Sequence, residues 1–308
     1  MSAACPEKAV DDVVRSALDC CELWAPSHVE RFSVEELSPF KFCRDFVAAS
    51  RPVVFTGRLD ATSTDRNEDW LGLFKEAVGE SLLTAMTGDA DGVCYYSLQN
   101  DSLNRECATF ASLVAARSEL PLPEAFLECF ADRGGAVPQP QAVNVWLGGS
   151  NSMTWAHRDG GFENLYLVLT GRKTFRLLPP AALAALTVQS AITATWVRRC
   201  PLDTEEAEAL LGARDQWALI DDAPENEVIW LATPDLCAAA AACGLPRPAE
   251  VVLEAGDLLY LPAGWVHQVF QDDETLAVNW WYDARYDDAR WAAHELARAV
   301  GEQRCGLP

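Results

Sequence analysis

Positive charge and histidine are both scarce in this 308-residue chain, where 24 lysines and arginines face 46 aspartates and glutamates and histidines number 4, giving a formal net charge of −22. Such an acidic protein is repelled by nucleic-acid phosphates and anionic membranes and attracts cationic partners. The expected partners therefore include no nucleic acid and no membrane, and a basic protein segment is favoured. No apolar run approaches the roughly 18 residues of a membrane-spanning helix, and MSAACPEKAVDDVV carries no positive stretch leading into an apolar core. The expected setting is cytoplasmic, with the nucleus also open. The 11 cysteines are odd in number and contain no C-x-x-C pair. That pattern argues against a zinc ribbon and against a disulfide framework, leaving reduced, packed thiols.

What the chain does have is hydrophobic mass, with 50% apolar residues and 11 tryptophans. A packed globular protein of one large or two modest domains is expected. Residues 7–24, 39–49, 66–88 and 119–133 read as helices, with strands near 52–56 and 92–99, so residues 1–138 form a mixed α/β region. From Gln139 the strong signals are short strands between Gly, Pro and Asp turns: 142–148, 164–170, 173–179, 250–256, 257–263, 267–271 and 275–283. They predict a sandwich or closed barrel over 139–284. An acidic, helix-like insertion at 184–249 interrupts it. Residues 285–308 form a closing helix with an apolar stripe of Trp291, Ala292, Leu296 and Val300. That stripe has two uses open to it, packing on its own barrel or pairing with a second copy as a homodimer.

The chemistry centres on "AHRDGGFENLYLVLTGRKTFRLLPP". With 4 histidines in an aspartate-rich chain, one H-x-D pair arises by chance roughly one time in three, so His157 and Asp159 alone prove little. If residues 154–159 are extended, however, both side chains point to one side. A histidine and a carboxylate on one face are two thirds of a facial triad, which holds Fe(II) and leaves three positions open. The third ligand comes from His28, His267 or His294. His28 lies in a polar connection and His294 in the amphipathic last helix. His267 opens an apolar strand after a Pro-Ala-Gly turn, where burial is costly without a partner such as a metal.

Lys173 opens an otherwise apolar strand after Thr170-Gly171-Arg172. It is either a solvated hairpin lysine or the partner of a dicarboxylate's distal carboxylate, with Tyr166 and Thr154 adding hydroxyls. Asn164 and Asn279 are amides set among Leu, Val and Trp. They need partners, either structural hydrogen bonds or contacts to a co-substrate.

Together, H-R-D, E-N-L-Y, G-R-K, L-L-P-P, G-D-L-L-Y-L-P-A-G-W-V-H and A-V-N-W-W-Y-D resemble the jumonji-C iron and 2-oxoglutarate oxygenases, in particular their small lysyl-hydroxylase branch. The resemblance is strong over 139–290 and extends more weakly to SPFKFCRDFVAASRPVVFTG. It implies a double-stranded β-helix (jelly roll, cupin-like), mainly β with α+β extensions. It implies Fe(II) on His157, Asp159 and His267. It further implies 2-oxoglutarate on Lys173, Thr154, Tyr166 and Tyr95, with Asn164 and Asn279 beside it, and O2 as oxidant. The implied reaction hydroxylates C3 of a lysine on a GTPase of the developmentally regulated GTP-binding class, releasing succinate and CO2. Demethylation of N-methyl-lysine or arginine, RNA-nucleoside hydroxylation and a non-catalytic binding module are the alternatives. Gly160-Gly161-Phe162 makes the connection after Asp159 one residue longer than the family pattern, which changes the loop beside the metal.

Overall fold

The computed structural model describes residues 6–59, 69–87, 95–97, 101–116, 120–131, 137–191, 194–198, 217–221, 228–231, 235–285 and 289–306. Its strands are β1 (Glu30–Phe32), β2 (Val53–Phe55), β3 (Tyr95–Ser97), β4 (Ala142–Gly148), β5 (Met153–Arg158), β6 (Phe162–Thr170), β7 (Arg172–Leu178), β8 (Val188–Ala191), β9 (Ala194–Arg198), β10 (Trp217–Asp221), β11 (Val228–Leu231), β12 (Ala249–Glu254), β13 (Leu258–Leu261), β14 (Val266–Gln271) and β15 (Thr275–Asp283). One main sheet runs β1-β2-β13-β6-β15-β4-β3 and the other β12-β7-β14-β5-β11-β8, while β9 and β10 pair in a separate two-stranded sheet. From β4 to β7, and again from β12 to β15, each successive strand crosses to the other sheet. This alternation is a jelly roll, the cupin-like architecture that the family resemblance implies and one form of the closed barrel that the strand rhythm predicts.

Side-chain alternation explains the layering. On β6, Leu165, Leu167 and Leu169 face a core shared with Phe42, Phe46, Phe74 and Phe110 from the N-terminal region. Tyr166 and Val168 of the same strand face inward, where they meet Phe175, Leu177, Leu259 and Val269. The hairpin from β6 to β7 turns at Gly171, whose φ is +79°, and a Cβ there would lie 2.5 Å from the Glu274 carbonyl oxygen. Only glycine suits both demands.

The N-terminal helix forms as α1 (Pro6–Trp24), and the Pro-started helix as α2 (Pro39–Phe42), capped by the Ser38 hydroxyl and continued by a π turn to Val47. The helix expected over 66–88 is α3 (Trp70–Thr87), with 66–68 outside the described residues. Two helices were not anticipated, α4 (Ser102–Glu106) and α5 (Ala108–Ala115). The helix expected over 119–133 shrinks to α6 (Glu124–Leu127) and a 3-10 turn to Phe130, because Pro121 and Pro123 bias the residues before them away from helix.

The insertion is helical at DLCAAAAACG, as its composition suggests, and carries strands besides. Residues 184–249 contain strands β8 to β11 as well as α7 (Leu236–Ala242), and β11 and β8 extend the six-stranded sheet beyond β5. Their short runs, such as VIWL, were hidden by an acidic surrounding composition. The stretch 203–215, expected to be helical, lies outside the described residues.

The closing helix, α8 (Ala289–Arg304), packs on its own chain at the turn Pro180–Ala184. Its buried face is Ala297, Val300 and Gly301, whereas Leu296 is 60% exposed. The expected stripe is thus rotated, and small residues make the contact because backbones approach closely. A Cβ on Gly301 would stand 2.2 Å from the Leu183 carbonyl oxygen. Gly301→Ala is expected to cost about 1–3 kcal/mol, as overpacking against rigid backbone does, and to lower the melting midpoint in thermal denaturation.

Candidate metal centre

Antiparallel pairing of β14 with β5 sets His157 directly opposite His267, with ring centroids 4.3 Å apart. His157 Nδ1 lies 2.8 Å from the Trp155 carbonyl oxygen and His267 Nδ1 3.1 Å from that of Trp265. A carbonyl can only accept, so each Nδ1 donates its proton there and each Nε2 keeps a lone pair for a metal. The two Nε2 atoms lie 3.7 Å from Asp159 Oδ1 and Oδ2 respectively. All three ligand atoms fall within 4.8 Å of one another, the arrangement among the described residues that can hold a metal ion. Burial, reinforced by the His267 ring, pushes the His157 pKa down to about 4. It is therefore neutral at pH 7, as a ligand must be. Two histidines and one carboxylate on one side of an ion form the facial set suited to non-haem Fe(II), so the residues present fit that metal.

Asp159 is oriented by a directional chain of buried hydrogen bonds. Trp146 Nε1 donates to Asn279 Oδ1 at 2.9 Å, Asn279 Nδ2 to Asn164 Oδ1 at 3.1 Å, and Asn164 Nδ2 to Asp159 Oδ2 at 3.2 Å. An indole N–H can only donate, so the sense of every amide downstream follows from Trp146. Of the two roles open to Asn164 and Asn279, the structure displays the hydrogen-bonded one. Trp146 was not singled out from the sequence, although an indole N–H in an apolar strand signals the need for an acceptor.

Lys173 is fully buried, with Nζ 2.7 Å from the Tyr166 hydroxyl and 5.3 Å from the ring centroid. The solvated-hairpin alternative is thereby removed. Burial pulls its pKa down to about 7. In register, Lys173 stands opposite Gln271, and Leu177 opposite His267. The ammonium thus starts four residues, roughly 13 Å of strand, from the level of the metal group.

Thr154 and His157 are three residues apart, a spacing that would put them on opposite faces of a regular strand. The β5–β14 register shifts between His267 and Val269, so that Thr154 pairs with Val269. This bulge returns Thr154 to the inner face, where its Oγ1 is buried with no partner among the described residues. Gln271 Nε2, on the same face beside Lys173, is likewise buried and unpartnered. A lysine, a threonine hydroxyl and a glutamine Nε2, the last two without partners among the described residues, suit a small dicarboxylate. Tyr95 stands opposite Gly148 on the edge strand β3, and its side chain lies outside the described residues. His28 is exposed beside Ser27, and His294 lies on α8 near Gly264 rather than in the metal group.

The chain matches the family described as "Cupin-like domain" over residues 72–288. It is 29% identical to "Lysine-specific demethylase JMJ32" of Arabidopsis thaliana, over 86% of this chain and 85% of that protein. It is 28% identical to "Bifunctional peptidase and (3S)-lysyl hydroxylase JMJD7" of Homo sapiens, over 81% and 83%. "JmjC domain-containing protein E" of Dictyostelium discoideum is 23% identical over 82% and 84%. The chain belongs to the cupin-like domain family.

Asn164→Ala removes the donor to Asp159 and strands the Asn279 amide. Affinity for Mn(II), measured by calorimetric titration, is expected to fall about 10- to 100-fold, as it does when metal-ligand supports are lost.

Proposed function

We propose that this protein is an Fe(II)- and 2-oxoglutarate-dependent protein hydroxylase acting on a lysyl side chain, with C3 of a lysine in a developmentally regulated GTP-binding protein as its target. The observation that carries the reading is the joint presence, inside one barrel, of the His157–Asp159–His267 group and a fully buried Lys173. His157, Asp159 and His267 would hold Fe(II), and Lys173, Tyr166, Thr154 and Gln271 would hold the distal carboxylate of 2-oxoglutarate. When bound, the iron and co-substrate supply oxidative decarboxylation of 2-oxoglutarate by O2, one oxygen atom going to succinate and the other to the substrate C–H bond, with CO2 released. The chain's own residues present two histidine lone pairs, orient the Asp159 carboxylate and neutralise the co-substrate's far end. An acidic surface draws a basic protein segment to the mouth.

A second reading, removal of a methyl group from lysine, is favoured by the name of the Arabidopsis relative at 29% identity. Hydroxylation adds about 16 Da to a target, whereas loss of one methyl removes about 14 Da, so mass spectrometry of the incubated GTPase separates them.

Succinate formation from 2-oxoglutarate with Fe(II) is expected for the wild-type protein and is expected to vanish in His157→Ala and Asp159→Ala. A wild-type protein that binds neither Fe(II) nor 2-oxoglutarate would sink the oxygenase reading.

The lowered pKa of Lys173 adds a pH signature. Between about 7 and the ordinary value of 10.5 the unfolded chain holds a proton that the folded one has released, so the empty protein gains stability as pH rises through that window. A carboxylate ligand must restore that proton. The affinity for 2-oxoglutarate with Mn(II) is therefore expected to weaken by up to about tenfold per pH unit above pH 7. In Lys173→Met, both the binding and the pH-dependent stability term are expected to disappear.

A further inference from the structure

On β15, Trp280 and Tyr282 join the core against the N-terminal helices. Trp281 and Asp283 therefore lie on the other face, with Asn279, toward the barrel interior. The pairing with β6 sets Trp281 opposite Asn164 and Asp283 opposite Phe162. Because Asn164 donates to Asp159, Trp281 stands at the level of the metal group. Phe162 and Asp283 lie one step closer to solvent, the ring half-buried and the carboxylate exposed.

Phe162 and Trp281 stack face to face, with centroids 4.8 Å apart and planes 1° from parallel. The Gly160-Gly161 step holds the ring there: the Phe162 amide donates to the Gly160 carbonyl at 2.9 Å, and the Ala284 amide to the Gly161 carbonyl at 2.7 Å. The glycine step thus ties the loop after Asp159 to the end of β15. Trp281 is 5% exposed, yet its Nε1 is buried with no acceptor among the described residues. An N–H desolvated without an acceptor is destabilising, and a bound ligand that brings an oxygen removes the penalty.

We infer that Phe162, Trp281 and Asp283 form a subsite for an unmodified, positively charged lysyl side chain. Its methylenes lie along the aromatic wall, its ammonium meets Asp283, and the Trp281 indole N–H donates to an oxygen of the bound substrate. A methylene stem ending in an ammonium matches an apolar ring face with a carboxylate at its outer edge. The assignment rests on the hydroxylase reading and narrows its substrate to a side chain whose ammonium is charged and keeps its N–H donors for the Asp283 carboxylate.

The test uses the full-length protein and peptide libraries with degenerate flanks and a fixed central lysine, trimethyl-lysine or norleucine. With Fe(II) and 2-oxoglutarate, a 16 Da gain is expected on the lysine library above the others. For a peptide recovered from it, Asp283→Asn is expected to raise KM about tenfold with kcat within about twofold, and to leave the norleucine analogue unaffected, as loss of one charge-assisted contact predicts. Trp281→Phe keeps the stack and is expected to raise KM as well. Independently of turnover, the indole N–H resonance missing from the ¹H–¹⁵N spectrum of Trp281→Phe is expected to move downfield in the wild-type protein when the lysine library is added. Equal oxidation of lysine and norleucine libraries, preference for trimethyl-lysine, or an unmoved Trp281 resonance each overturns the subsite while leaving the oxygenase reading intact. Absence of succinate with every library counts instead against the oxygenase reading, and the indole resonance still decides the subsite.

Discussion

The antiparallel pairing of β5 with β14 is the constraint on which the rest of the site depends. It puts His157 and His267, far apart in sequence, face to face, and each Nδ1 is held by the backbone carbonyl two residues before it. A slip of one residue would turn one histidine out of the barrel and destroy the group. The register is secured by the flanking pairing of β14 with β7, which sets Val269 against Phe175 in the inner core. The same packing that excludes water from the barrel therefore also aims the ligands.

Placing polar chemistry in an apolar barrel requires partners for every buried group, and the structure meets this unevenly. The chain from Trp146 to Asp159 is complete, each donor matched to an acceptor, and it rigidifies the carboxylate. Glu163, on the outer face of β6, is also matched, accepting from the Tyr260 hydroxyl at 2.7 Å and the Ala263 amide at 3.2 Å. By contrast, Thr154 Oγ1, Gln271 Nε2 and Trp281 Nε1, all on the inner face, lack partners among the described residues.

Much of this was legible in the chain. The strand rhythm after Gln139, the H-x-D pair, Lys173 beyond a glycine turn and His267 opening an apolar strand all follow from period-two alternation and the cost of burying charge. Other parts were not. Strands β8 and β11 hide within acidic surroundings because a four-residue strand is stabilised by its neighbours rather than by its own pattern. The buried face of α8 shares only Val300 with the expected stripe, because small residues, not large apolar ones, make its closest contact.

The sequence by itself determined the chemistry available: two histidines and a carboxylate fit for Fe(II), a lysine that burial would leave needing an anion, and amides that needed partners. Only the tertiary structure decided how these residues act together. It selected the bulge that turns Thr154 inward, the direction of the amide chain and the stacking of Phe162 on Trp281. Each of these depends on strand register between segments distant along the chain, and register arises from the packing of whole sheets rather than from any local run of residues.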